Sequence, residues 1–136
     1  MRILAVDLGL VRTGLAVCDA GEVLASPLYS IKEGNPEKVP EKVLQAAVAE
    51  RAEMIVVGHP KNMDGSCGES AKRAQRFVET LQTLTDLPVK LWDERMTTMS
   101  AIGFLNDTDV RGKKRKDVID AVSASIILQN FLDSRK

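Results

Sequence analysis

The chain has 136 residues, 19 Lys+Arg against 19 Asp+Glu, and a hydrophobic fraction of 44%. That is ordinary globular composition and suits a single domain spanning residues 1–136 with one core; the zero formal charge gives no global reason to bind nucleic acid. No apolar run approaches the roughly 18–20 residues needed to cross a bilayer, and MRILAVDLG does not read as a secretory signal, so a cytoplasmic protein is expected. Cys18, Cys67 and His59 are too few for a disulfide framework or a His/Cys zinc site.

Residues 2–8 (RILAVDL) form a short apolar run, expected as a buried strand. Residues 13–18 and 22–31 read as two further strands, paired as a hairpin across Asp19-Ala20-Gly21. Pro27 predicts an edge position for the second of these. Val39, Val43, Leu44, Ala47 and Val48 then recur at helical spacing. Residues 54–58 form another buried strand. Ala71, Ala74, Phe77, Val78 and Leu81 mark a second helix, and 88–92 a fifth strand. Thr97 or Thr98 is expected to cap a short helix running to Leu105. A last, buried helix is expected over about 117–132. The order predicts an α/β fold: a mixed five-stranded sheet, three antiparallel strands and then two parallel ones, flanked by helices.

Ligands of open α/β sheets bind beyond the carboxyl ends of the strands. Asp7 ends the first strand ahead of the turn from Gly9 to Gly14, and Asp93-Glu94 follow the fifth strand. Asp117 and Asp120 lie three apart in the last helix. Each has a plain structural reading: a turn acceptor, a surface ion pair with Arg95, and a charge favoured in a first helical turn. Together they make an oxygen-rich set of the kind that binds Mg²⁺ or Mn²⁺, and such ions serve phosphodiester hydrolysis. The run Arg111, Gly112, Lys113, Lys114, Arg115, Lys116 immediately precedes Asp117 and is expected as a phosphate-contacting loop. Lys61 and Asn62, in a shaped loop after the fourth strand, are further candidate contacts.

These residues resemble the YqgF/RuvX family, described as Holliday-junction resolvases or pre-ribosomal RNA nucleases of RNase H-like fold. The resemblance covers nearly the whole chain. It rests on Val6-Asp-Leu-Gly9 with Arg12 and Gly14, Val57-Gly-His-Pro60 through Asn62-Met-Asp-Gly65, Leu91-Trp-Asp-Glu-Arg95 with Thr97-Thr98, and Lys113-Lys-Arg-Lys116 leading to Asp120. It implies that Asp7, Glu94 and Asp120 are the catalytic, metal-binding acids, with Asp93 and Asp117 as auxiliary ligands. With the candidate contacts read above, the expected nucleic-acid-binding set is Arg12, Lys61, Asn62, Arg95, Arg111, Lys113, Lys114, Arg115 and Lys116. The implied activity is Mg²⁺- or Mn²⁺-dependent cleavage of structured RNA or branched DNA, by a monomer or homodimer: 5′-end processing of small-subunit pre-ribosomal RNA, or junction resolution. The chain departs from the family pattern at Leu10-Val11 in the first turn, at His59 and Lys61, and at the extra acid Asp117. Two other readings compete: a non-catalytic RNA-binding ribosome-maturation factor, and a nucleotide-binding module of actin/Hsp70 type.

Overall fold

The computed structural model describes residues 1–60, 66–94 and 112–135, with side chains of the last segment from Ile119 onward. The expected cap at Thr97 or Thr98 and the short helix to Leu105 lie outside these residues.

Five strands form one sheet: β1 (Ile3–Asp7), β2 (Arg12–Cys18), β3 (Ala25–Lys32), β4 (Met54–His59) and β5 (Val89–Asp93), in the order β3-β2-β1-β4-β5. The first three pair antiparallel, and β4 and β5 run parallel to β1. This is the predicted mixed α/β sheet. Its centre is β1, where Ile3, Leu4, Ala5 and Val6 are all fully buried. Alternation divides them: Leu4 and Val6 face one core, Ile3 and Ala5 the other. Hence β1 reads as a continuous apolar run, because both its faces are covered.

Helices α1 (Val39–Ala49) and α2 (Glu69–Leu84) cover the Leu4/Val6 face. In α2 the five predicted positions, Ala71, Ala74, Phe77, Val78 and Leu81, are all buried. In α1 the apolar stripe is narrower than its sequence suggests: Val48 lies on the solvent side and is 78% exposed. Helix α3 (Gly112–Ser134) covers the opposite face through Ala124, Ile127, Leu128, Phe131 and Leu132. No residue from Ile119 to Leu132 is exposed, as expected of a buried helix. No helix among the described residues is long and apolar enough to cross a membrane.

Two expectations need correction. Strand β3 begins at Ala25 rather than residue 22, because the Asp19 carboxylate accepts the N–H groups of Val23 (2.9 Å) and Leu24 (3.1 Å) and holds them in the turn. Pro27 does sit on an edge strand, and the β2–β3 register shifts beside it, between Leu15 and Ala16. Helix α3 begins five residues earlier than expected, so Gly112 to Lys116 are helical rather than a loop. Lys and Arg are good helix formers and extend the element once it is anchored downstream.

That anchor is a close backbone approach. A Cβ on Gly14, in the middle of β2, would collide with the carbonyl oxygen of Asp120 in α3. Further along, Gln129 fixes the helix to the start of the edge strand, accepting the Ala25 N–H (2.9 Å) and donating to the Val23 carbonyl (3.2 Å). Trp92 of β5 meets Phe131 of α3 edge-on, with ring centroids 5.6 Å apart. Gly14→Ala is expected to cost about 1–3 kcal/mol, the usual range for overpacking. Chemical denaturation should show it, and an unchanged midpoint would mean that α3 is seated by other contacts.

Candidate active site

Because β1, β4 and β5 are parallel, their carboxyl ends meet at one edge of the sheet. Asp7 is the last residue of β1, and Glu94 directly follows β5. By alternation, Asp7 shares the α3 face with Ile3 and Ala5. Its cross-strand partner is Gly14, the residue on which the Asp120 backbone rests. The bare Cα of Gly14 therefore lets α3 approach the end of β1 and brings Asp120 to Asp7.

A second glycine makes room for the third acid. A Cβ on Gly58, in β4, would lie 2.9 Å from the Glu94 carboxyl carbon and Oε2, and 2.8 Å from Ile127 Cδ1. Glu94 thus lies on the α3 face too, over Gly58. A third glycine closes the β1–β2 turn: at Gly9 a Cβ would strike the carbonyl of Arg12. The sequence carried a signal for the contacts at Gly14 and Gly58, since a glycine inside a strand pattern marks a close approach. It did not say what approaches.

The electrostatics follow from this crowding. Burial, then the charge of Glu94, then that of Asp120 push the Asp7 carboxyl up to about 7. Burial and the neighbouring charge of Asp93 also raise Glu94. Among the described residues no hydrogen-bond donor reaches the Asp7 carboxylate and no ion pair forms at Glu94. The reading of Asp7 as a turn acceptor finds no support there; Arg95, the ion-pair partner read for the Asp93-Glu94 pair, lies outside the described residues. Nor do Asp117 and Asp120 occupy a first helical turn, because α3 starts at Gly112. Even so, among the described residues no three His, Cys, Asp or Glu side chains stand close enough to hold a metal ion as they are. The acids are neighbours that repel one another, not a finished ligand set.

The remaining predicted residues are dispersed. Asp93 ends β5 and pairs in register with His59. Arg12 opens β2 opposite Lys32. Lys113, Lys114, Arg115, Lys116 and Asp117 lie in the first turns of α3. Lys61, Asn62, Arg95 and Arg111 lie outside the described residues. His59 is buried on the other face, its Nε2 3.0 Å from Gln75 Nε2 of α2. The same Gln75 amide donates to Cys67 Sγ at 3.6 Å, and Cys18 is a core residue as expected.

Asp7 yields a pH test. An unfolded Asp ionises near 3.8, whereas the folded one keeps its proton to about 7. Between these values the folded state binds more protons, so Asp7 lowers stability as pH rises, and the penalty is complete above 7. Asp7→Asn removes it. In chelator, the variant should gain on wild type by up to about 4 kcal/mol between pH 4 and pH 8, measured by denaturation at both. A constant difference would show that Asp7 is not desolvated beside the other acids.

Comparison with known proteins bears on the fold and the family. A protein from Thermoanaerobacter pseudethanolicus named "Putative pre-16S rRNA nuclease" is 41% identical, with 100% of this chain and 99% of that protein covered. One of the same name from Halothermothrix orenii is 44% identical, covering 98% and 95%. Among solved structures, Thermus thermophilus RuvC in complex with a Holliday junction substrate superposes with a TM-score of 0.63 at 14% identity, over 100% of this chain and 97% of that one. Fowlpox virus resolvase with its Holliday junction DNA follows at 0.57 and 12%, over 99% of both chains. At these identities the structures establish the fold alone. The family model for RuvX, described as Holliday junction resolvase, matches residues 1–134, and the chain belongs to the RuvX family.

Proposed function

We propose that this chain is a nuclease whose single domain cleaves phosphodiester bonds of structured RNA with the help of Mg²⁺ or Mn²⁺ held by Asp7, Glu94 and Asp120. The observation that carries this reading is the gathering of three carboxylates on one sheet edge, where Glu94 and Asp120 both raise Asp7. Such a set costs stability unless a cation compensates it.

The donor set fits a hard divalent cation: carboxylate oxygens, few in number, on the edge where ligands of such sheets bind. A bound ion would supply an activated water and charge neutralisation at the phosphate. The chain's part is to place the oxygens. Asp7 is fixed by the end of β1, Asp120 by the seating of α3 on Gly14, and Glu94 by the gap at Gly58. Asp7 must lose its proton to serve, so binding should strengthen as pH rises through about 7. Asp93 and Asp117 are proposed as auxiliary acids. The basic turns of α3 lead into Asp120, with Lys113 seven residues and about 10 Å of helix rise away. Spacing by three, four and seven puts positions 113, 116, 117 and 120 along one stripe of the helix, a track by which phosphates would reach the acids. Arg12, Lys61, Asn62, Arg95, Arg111, Lys114 and Arg115 are proposed as further contacts.

RNA is the preferred substrate because the relatives named for pre-16S rRNA are 41–44% identical over nearly the whole chain, whereas the likeness to junction-bound RuvC is one of fold.

Wild type should cleave a pre-16S RNA fragment with Mn²⁺ or Mg²⁺, and a synthetic four-way junction more slowly. Asp7→Asn, Glu94→Gln or Asp120→Asn should each reduce cleavage by roughly a hundredfold or more, the worth of several kcal/mol of charge stabilisation. Gly58→Ala should lower activity more than stability, since the groups it displaces are side-chain ends. A wild type inactive on both substrates with either metal overturns the reading; faster cleavage of the junction would reverse the substrate assignment. Changing Lys113, Lys114 and Lys116 to Ala should weaken RNA binding and flatten its salt dependence by about two to three in log–log slope. An unchanged slope would remove the helix from the phosphate path.

A further inference from the structure

On the face opposite α3, a cleft of about 470 Å³ opens between α2, the start of α1 and the turn after β1. Nothing in the proposed acid site uses it. Its apolar wall comes from Leu8, Val39, Pro40 and Phe77, and its basic wall from Arg73 and Arg76 of α2. These arginines are three apart and so share a helix face. Neither has an ion-pair partner among the described residues, although Arg73 is half-buried. An arginine held in a cleft wall without an ion pair is suited to an incoming anion. Leu8 directly follows Asp7, so wall and acid stand on adjacent residues, about 3.8 Å apart along the backbone. The lip beyond is apolar as well, with Leu10 72% exposed.

We propose that this cleft receives one unstacked nucleotide of the substrate strand, its base against the apolar wall and its phosphate on Arg73 and Arg76. The inference rests on the nuclease reading and adds to it a subsite beside the scissile position. Three features select this occupant. The volume lies within the range of small-molecule sites. An apolar wall facing two guanidiniums matches the amphipathic build of a nucleotide, and proteins that hold single strands combine such surfaces. Glu37 on the rim can accept from an exocyclic amine and disfavours a second phosphate. A cleft of this volume has room for one nucleotide and not for a duplex. RNA sites are commonly read through unstacked bases of this kind.

The test uses the full-length Asp7→Asn protein, labelled with ¹⁵N and titrated with a single-stranded RNA hexamer, with uridine monophosphate and with inorganic phosphate. The hexamer should shift the amides of Leu8, Gly9, Arg73 and Arg76. Arg73→Ala with Arg76→Ala should weaken hexamer binding tenfold or more and lower its salt slope by about 1.4, two contacts at roughly 0.7 each. The double Lys variant should recover part of the affinity. Thr80→Trp fills the cleft and leaves the charge unchanged, so it should weaken binding as well. Full affinity in Thr80→Trp would mean that the arginines act only as surface charge and would overturn the proposal. Shifts confined to the Asp120 side would overturn it too. So would uridine monophosphate binding as tightly as the hexamer while hexamer affinity ignores the arginines, since the cleft would then serve free nucleotide. Matched unfolding midpoints exclude misfolding as the cause of any loss. Cleavage by the Asp7-intact arginine variant separates the two readings: if it persists with a silent cleft, only the subsite falls. If wild type never cleaves yet the cleft binds the hexamer, only the catalytic reading falls.

Discussion

Helix α3 can lie against the sheet at the site only because Gly14 has no side chain. At that position the Asp120 backbone occupies the space a Cβ would need, and from it the other relations follow. Asp120 arrives beside Asp7, the strand partner of Gly14. Ile127, two turns further on, arrives over Gly58, where it shares the free volume with Glu94. One helix, set down at one glycine, thereby assembles the acid edge and covers the second core.

The assembly carries an electrostatic cost. Three carboxylates are drawn toward a partly dry edge, and among the described residues Asp7 and Glu94 have no basic partner. A protein selected for stability alone would pair or remove such groups. The cost is plain at Asp7, whose position at the end of the buried central strand keeps water from its carboxyl. Under the proposed function, such a site is stable while its proton is retained and serves once the proton gives way to a cation. The acids are close enough to perturb one another without already converging on one point.

The two faces of the sheet divide the labour of the proposed function. The α3 face gathers acids and leads a basic helix toward them. The α2 face holds His59 in contact with Gln75, and beside the β1 turn the apolar cleft with its two arginines. Residues alternate along β1, so Asp7 belongs to the first face and Leu8 to the second. A strand of nucleic acid crossing the carboxyl edge would meet both.

Much of this was legible in the sequence. The buried run of β1, the edge strand bearing Pro27, the five core positions of α2 and the parallel placement of β4 and β5 follow from periodicity and connection rules, which are local or topological. The acids at strand ends were legible for the same reason: a carboxylate closing an apolar run is conspicuous. The start of α3 was not, because a basic run has good helix propensity but no apolar period to show it, and a contact far downstream decides whether it folds as helix or loop. Val48 followed the apolar spacing of α1 yet faces solvent, since spacing cannot say how wide a face the sheet will cover. The roles of Gly14 and Gly58, and the joining of Leu8 to Arg73 and Arg76 in one cleft, depend on which backbones meet across the sheet. Sequence alone determined which residues carry charge and which elements they end; tertiary structure decided which charges share a face, because that is set by the close approach of segments more than a hundred residues apart.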